Sequence, residues 1–156
     1  MGSSVLDRID WIEQFPIVDV WATQKEAPML PKILFADDDP LMHQLYKPHV
    51  ERAGYEWIGA RNGREAMEVA ACGGTRLAVI DIMMPEMDGL ATVTKLKNAD
   101  ATKTIPVILI TGELQYYARQ REISELGAAV FITKPFGPGQ LLEAINRLLP
   151  KTANIP

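Results

Sequence analysis

Several features are scarce in this chain of 156 residues, and each scarcity excludes a class of protein. The single cysteine, Cys72, excludes an internal disulfide and a cysteine metal cluster, and we expect it to be a small buried or half-buried helix residue. No apolar run approaches the ~20 residues that a membrane-spanning helix needs. The N-terminus lacks the basic region and long apolar core of a secretory signal. We therefore expect a cytoplasmic protein.

Positive charge and histidine are scarce too. The 16 Lys and Arg residues against 20 Asp and Glu give a formal net charge of -4, which disfavours direct binding to nucleic acid. No segment after Pro150 is long enough for an output domain, so we expect no direct nucleic-acid partner. The lack of a long apolar run leads us to expect no membrane partner. The two histidines, His43 and His49, fall in one predicted helix without a partner pattern, which favours surface or packing roles.

Composition divides the chain into three parts. Residues 1–31 comprise MGSS, which resembles an expression-tag remnant, a short amphipathic segment over residues 5–21, and a polar, proline-punctuated linker. Residues 32–150 are expected to form the folded domain, and residues 151–156 a short tail. The segment 5–21 could pack on this domain, mediate dimerisation or end a preceding domain. We expect it to pack somewhere, because exposing its aromatic and aliphatic side chains to water is unfavourable.

Apolar runs alternate with helical patterns from Lys32 onward. The runs are KILFA, LAVI, IPVILI and AAVFIT, with a shorter one at residues 55–59, and continuous runs of this kind are typical of strands buried on both faces of a parallel sheet. Helices are predicted over about 40–53, 62–72, 90–98, 115–126 and 138–149, and Pro48 should kink or shorten the first. Five strands alternating with five helices predict a doubly wound α/β fold.

A polar element closes each of the four longer runs: Asp37 with Asp38, then Asp81, Thr111 and Lys134. Because the carboxyl ends of parallel strands share one edge, we expect these side chains around one crevice. Converging carboxylates need a cation, and oxygen ligands without His or Cys favour Mg²⁺ over zinc. A carboxylate beside Mg²⁺ can act as a nucleophile and form an aspartyl-phosphate. A lysine and a threonine hydroxyl suit the charge stabilisation that phosphoryl transfer needs.

The same residues, in this order and spacing, resemble the receiver domain of two-component response regulators. The resemblance rests on Asp37-Asp38, IDIMMPEMDG around Asp81, Thr111-Gly112 and Lys134-Pro135-Phe136, and it extends over residues 32–149. It implies a flavodoxin-like five-stranded parallel sheet with strand order 2-1-3-4-5.

The resemblance also implies a role for each residue of the crevice. Asp81 would be the phosphoacceptor, and Mg²⁺ would be held by Asp37, Asp38, Asp81 and the backbone carbonyl of Met83. Lys134 would contact the phosphoryl group.

Two further residues are implied as the switch. Thr111 would contact the phosphoryl group and move toward it, while Phe131, three residues before the lysine, would turn inward. Phenylalanine lacks the hydroxyl of tyrosine, so a switch at this position would depend on packing. A role for Phe131 as an ordinary strand residue remains open.

By this resemblance the protein is a phosphorylation-dependent signalling switch. A histidine kinase or histidine phosphotransfer protein would supply the phosphoryl group, and a homodimer or a downstream protein could receive the signal. Its chemistry would be limited to self-catalysed phosphoryl transfer and autodephosphorylation. Two alternatives stay open: a Mg²⁺-dependent aspartyl-phosphate phosphatase, and a protein-binding receiver that phosphorylation does not switch. Met83 stands where haloacid-dehalogenase-like phosphatases carry a second aspartate, which argues against the first alternative.

Overall fold

A five-stranded parallel sheet forms the centre of the protein. The structure is a computed structural model that describes residues 29–150. The strand order is β2-β1-β3-β4-β5, with the strands at β1 Lys32–Ala36, β2 Glu56–Ala60, β3 Thr75–Asp81, β4 Val107–Thr111 and β5 Val130–Thr133. The predicted doubly wound, flavodoxin-like fold and its strand order are confirmed. The amphipathic segment 5–21 and the tail 151–156 lie outside the described residues, so the three-part division of the chain stays a prediction.

Six helices, one more than predicted, are present between residues 29 and 150. They are α1 Pro40–Arg52, α2 Gly63–Ala71, α3 Gly89–Asn98, α4 Leu114–Tyr117, α5 Gln120–Glu125 and α6 Pro138–Leu148. The helix predicted over 115–126 is two short helices separated by Ala118 and Arg119. This stretch buries a single residue, Ile123, and a helix with so little apolar contact gains little stability from packing. None of the six has the length and hydropathy that a bilayer-spanning helix requires.

Side-chain caps fix the starts of the first two helices. The carboxylate of Asp39 accepts a hydrogen bond from the backbone N–H of Leu41 at 2.9 Å, and Pro40 occupies the first helical position. The side chain of Asn62 accepts from the N–H of Glu65 at 2.8 Å and starts α2 in the same way. The turns out of β1 and β2 are therefore encoded locally.

Two expectations from the sequence are corrected, the shortening of α1 at Pro48 and the burial of Cys72. Helix α1 runs through Pro48 to Arg52 without being shortened. The proline ring lies on the exposed side, and Gln44, whose carbonyl loses its i+4 partner, is exposed as well, so water can replace the missing bond. Cys72 is exposed at the C-terminal end of α2. The buried face of that helix is formed by Ala66 and Ala70, and a residue two positions further on points away from it.

Helices cover both faces of the sheet. Along β1, Ile33 and Phe35 point to the face covered by α1 and α6, while Leu34 and Ala36 point to the face covered by α2, α3 and α5. All four side chains are fully buried. This explains why the strand is a continuous apolar run, since neither face contacts water.

Tyr46 links helix α1 to the loop that follows β5. Its hydroxyl donates a hydrogen bond to the backbone carbonyl of Phe136 at 2.6 Å, and the two rings are stacked with centroids 4.8 Å apart. Burial raises the pKa of the Tyr46 phenol, with a smaller opposing effect from the charge of Lys134, so the hydroxyl keeps its proton as a donor. The loop that carries Lys134 is thus anchored to the first helix.

Tyr46→Phe should destabilise the protein by about 1.5 kcal/mol, because it leaves the carbonyl of Phe136 without its donor. Urea unfolding followed by circular dichroism measures this loss. Tyr117→Phe is the matched control: Tyr117 is 59% exposed, and its substitution should change stability by less than about 0.5 kcal/mol. Equal unfolding midpoints for the two variants would contradict the role assigned to the Tyr46 hydroxyl.

Candidate functional site

The polar residues predicted to share one edge of the sheet do lie at its carboxyl edge. Asp37 directly follows β1, Asp81 and Thr111 are the last residues of β3 and β4, and Lys134 directly follows β5. In the sheet, Asp81 is in register with Ile110 of the neighbouring strand. The fold therefore brings together side chains that are up to 97 residues apart in sequence.

Three carboxylates form the acidic part of this edge. One oxygen from each of Asp37, Asp38 and Asp81 lies within 4.8 Å of the others. Asp37 is fully buried, Asp81 is 4% exposed, and Asp38 faces solvent. Two buried carboxylates this close repel each other unless a cation lies between or beside them.

Lys134 supplies one such cation. Its Nζ donates to Oδ2 of Asp37 at 3.1 Å and to Oδ2 of Asp81 at 3.0 Å. Burial alone would lower the pKa of the Lys134 ammonium, but the hydrogen bond to Asp81 and the charges of both aspartates outweigh it, so the pKa is raised. The lysine is therefore charged at neutral pH and bridges the two buried carboxylates.

Backbone N–H groups orient the same carboxylates. Oδ1 of Asp37 accepts from the N–H of Asp39 at 2.9 Å, and Oδ1 of Asp81 accepts from the N–H of Met83 at 3.2 Å. The chain after Asp81 turns back at Gly89, whose N–H donates to the carbonyl of Ile82 at 2.8 Å. A side chain at Gly89 would overlap the carbonyl oxygen of Asp81, so this close approach depends on glycine.

Thr111 and Phe131 lie further from the charged pair. The hydroxyl of Thr111 is buried and accepts from the N–H of Glu113 at 3.1 Å; among the described residues, no hydrogen bond joins it to Asp81 or Lys134. Phe131 is half-buried on the edge strand β5 and packs against the core on the α2 and α3 side. The side chain of Met83 is 48% exposed, and its sulfur accepts a weak hydrogen bond from Tyr116 at 3.7 Å.

Comparison with protein families identifies the family of the chain. A family model described as the response regulator receiver domain matches residues 33–146. The chain belongs to this family. Its fold is that of a receiver domain, and receiver domains act in general as phosphorylation-dependent switches of two-component signalling.

Individual relatives support the same assignment. The chain is 36% identical over 121 residues to the transcriptional regulatory protein SrrA of Staphylococcus aureus, a match that covers 78% of this chain and 48% of SrrA. It therefore spans about half the length of the curated relatives it matches.

Solved structures match the fold closely. The chemotaxis response regulator CheY4 of Vibrio cholerae superimposes with a TM-score of 0.70 at 29% identity, covering 77% of this chain and 99% of CheY4. The receiver domain of a signal transduction histidine kinase from Syntrophus aciditrophicus gives a TM-score of 0.69 at 35% identity, covering 81% and 95% of the two chains.

The donor set of this receiver fits a magnesium ion. All three acidic groups offer oxygen atoms, which Mg²⁺ prefers, and one of them is open to solvent, where Mg²⁺ can keep several of its water ligands. The single ammonium of Lys134 leaves the three carboxylates with an excess of negative charge. Receiver domains bind Mg²⁺ at an acidic pocket of this kind.

Burial and the excess charge both affect the protonation of Asp81. Burial, and after it the charge of Asp37, raise the pKa of this carboxyl from the ordinary 3.8 to about 6, against the lowering effects of Lys134 and the Met83 N–H. A carboxylate with this pKa is held in an unfavourable charged state at neutral pH. A divalent cation beside this carboxylate would stabilise its charged form.

This pKa predicts that the metal-free receiver loses stability as the pH rises from about 4 to 7. The folded state binds the Asp81 proton more tightly than the unfolded state does, so protonation favours folding, and this contribution disappears as the pH passes through about 6. Urea midpoints measured against pH in EDTA test it. The Asp81→Asn variant, which cannot titrate there, should show a flatter profile, and identical profiles would contradict the raised pKa.

One residue of the site was not predicted from the sequence. His43 of α1, for which surface or packing roles were expected, places Nε2 2.8 Å from the backbone carbonyl oxygen of Asp37. The sequence places this histidine one turn into the helix that follows an acidic pair, but it gives no signal of the contact. Nothing in the residue pattern connects that histidine to a backbone atom.

Proposed function

We propose that this receiver accepts a phosphoryl group on Asp81 and thereby switches a signalling surface. The observation that carries the proposal is the buried carboxylate of Asp81, hydrogen-bonded to Lys134 and within 4.8 Å of the carboxylates of Asp37 and Asp38. This arrangement combines a nucleophile, a cation and a set of metal ligands at one edge of the sheet. The family to which the chain belongs supports the same role.

In the proposed reaction an oxygen of Asp81 attacks the phosphorus atom of a phosphohistidine. The phosphorus–nitrogen bond breaks, the imidazole nitrogen leaves with the electron pair and takes up a proton, and an acyl phosphate forms on Asp81. The ammonium of Lys134, 3.0 Å from Asp81 before the reaction, stabilises the negative charge on the phosphoryl oxygens. The buried position of Asp81 limits the access of water to the product.

The metal ligands in this proposal are the carboxylates of Asp37, Asp38 and Asp81 and the backbone carbonyl of Met83. When bound, Mg²⁺ supplies charge neutralisation and orients the phosphoryl oxygens. The chain prepares this site itself: Asp37 is held by the Asp39 N–H and by Lys134, and Asp81 by the Met83 N–H.

Thr111 and Phe131 are the proposed switch residues. For Thr111 to contact the phosphoryl group, its hydroxyl must exchange the N–H of Glu113, 3.1 Å away, for a phosphoryl oxygen. Such a movement at the end of β4 would change the space beside Phe131, which lies on the neighbouring strand in register with Leu109. Because Phe131 is half-buried, it has a position from which it can turn further inward.

The proposed phosphoryl donor is a histidine kinase or a histidine phosphotransfer protein, since receiver domains interact with both. The receiver catalyses its own phosphorylation and dephosphorylation, and its output is a change of partner binding, through a homodimer or a downstream protein. We assign it no separate small-molecule substrate.

Phosphodonor labelling tests the proposal. Wild-type protein is incubated with a small phosphoramidate, with Mg²⁺ or with EDTA, and its intact mass is followed in time. We expect one acid-labile phosphate per chain with Mg²⁺ and little in EDTA, and peptide mapping after reduction of the acyl phosphate should locate it at Asp81. Labelling at another residue would reject the assignment.

Two further measurements separate the two alternatives, the turnover of small phosphate esters and the affinity for a partner protein. Multiple turnover of small phosphate esters would indicate a phosphatase. A receiver that is labelled but binds its partner equally well with and without an acyl-phosphate mimic would be a binding module that phosphorylation does not switch.

A further inference from the structure

His43 contacts the acidic pair through the backbone. Its Nε2 lies 2.8 Å from the carbonyl oxygen of Asp37. Because a carbonyl oxygen can only accept, the ring must carry its proton on Nε2 and donate it. We propose that this hydrogen bond makes His43 a positioning residue of the magnesium site, an inference that rests on the proposed function.

Asp37 is fixed at each of its polar groups. Its N–H donates to the carbonyl of Ala60 at 3.0 Å, and its carboxylate accepts from the Asp39 N–H and from Lys134. The His43 bond fixes the remaining group, the carbonyl. This carbonyl belongs to the peptide unit that joins Asp37 to Asp38, so fixing its orientation also restricts the positions open to the Asp38 carboxylate.

Packing aims the imidazole at this carbonyl. The ring meets Phe35 edge-on at a centroid distance of 5.4 Å and Trp57 at 5.8 Å, and these two aromatic rings are themselves stacked at 4.5 Å. Gly59 of the edge strand makes room for the imidazole, since a Cβ there would lie 3.0 Å from Nδ1. The donor is therefore held in place before any ligand arrives, which is the condition for pre-organising a site.

Two substitutions of equal size separate the hydrogen bond from the packing. Methionine and glutamine have side chains of the same length and both lose the aromatic contacts, but only glutamine offers an N–H at about the reach of Nε2. His43→Met should weaken Mg²⁺ binding roughly 3- to 10-fold relative to His43→Gln, the loss expected for one hydrogen bond. His43→Gln should stay within about twofold of wild type.

Isothermal titration of the full chain with Mg²⁺ measures these affinities. His49→Met is the control, because His49 lies on the same helix and is half-buried but is remote from the acidic pair. A second measurement follows phosphoramidate labelling against Mg²⁺ concentration: His43→Met should need more Mg²⁺ and reach the wild-type rate at saturation. General loosening of the fold would lower the rate at saturation too.

Two results would overturn the inference. Equal Mg²⁺ affinities for the methionine and glutamine variants, in a wild type that binds Mg²⁺, reject the positioning role and leave the proposed function intact. A long-range ¹H–¹⁵N spectrum of the wild type that places the His43 proton on Nδ1 rejects it as well. A wild type that binds no Mg²⁺ rejects the proposed function and this inference together.

Discussion

Asp81→Asn should gain no acid-labile phosphate under conditions that label wild type fully. The amide is a poor nucleophile and cannot form an acyl phosphate. Asp37 does not replace it, because its carboxylate is fully buried and is held by the Asp39 N–H and by Lys134. We expect the difference to be complete within the time of the experiment, with intact mass as the measurement.

The control for this variant is Asp39→Asn, which changes the acidic residue two positions after Asp37. Asp39 is exposed and caps α1, and asparagine caps a helix about as well as aspartate does, so this variant should be labelled like wild type. Asp81→Asn should also be more stable than wild type at pH 7 in EDTA, because it removes a buried charge whose pKa is raised to about 6. Acid-labile phosphate on the asparagine variant would contradict the assignment of the nucleophile.

Gly89→Ala should cost about 3 kcal/mol of stability and weaken Mg²⁺ binding as well. The added methyl would overlap the carbonyl oxygen of Asp81 and lie 2.7 Å from Cα of Ile82. Both are backbone atoms, so a side-chain rotation cannot relieve the contact and the segment after β3 must shift. Thermal unfolding and Mg²⁺ titration measure the two effects.

Gly139→Ala is the matched control for that variant. Gly139 lies in the first turn of α6, and a methyl group added there would have no atom within 4 Å, so alanine should stabilise the protein by up to about 1 kcal/mol through helix propensity. If both glycine variants were destabilised alike, the close approach at Gly89 would not be the cause.

The fold was predictable where an element is encoded twice, by its apolar pattern and by a local signal at its end. Residues 32–36 are apolar throughout after the first lysine, and the strand is buried on both faces. Asp39 and Asn62 cap helices α1 and α2. The segment 115–126 has helix-forming residues but buries only Ile123, so composition could not show that the helix divides. The number of helices depends there on tertiary packing.

The sequence could predict which residues of the site lie close together. It could not predict all the hydrogen bonds that hold them in position. Strand ends place Asp37, Asp81 and Lys134 at one edge for any sequence that folds this way. The bond from His43 goes to a backbone carbonyl, and main-chain acceptors leave no mark in a sequence pattern. The present partner of Thr111, the Glu113 N–H, is equally invisible to such reasoning.

Two tyrosine contacts, made by Tyr46 of α1 and by Tyr55 just after that helix, affect the order in which the fold is completed during synthesis. The hydroxyls of Tyr46 and Tyr55 find their acceptors at Phe136 and Asn146, 90 and 91 residues later. Until that last stretch leaves the ribosome, helix α1 alone can cover the face of the sheet that holds Ile33 and Phe35, and the part of this face that α6 covers stays open to water. This face of the sheet is thus completed only after α6 has been made, by contacts between residues far apart in sequence, and such non-local contacts form slowly.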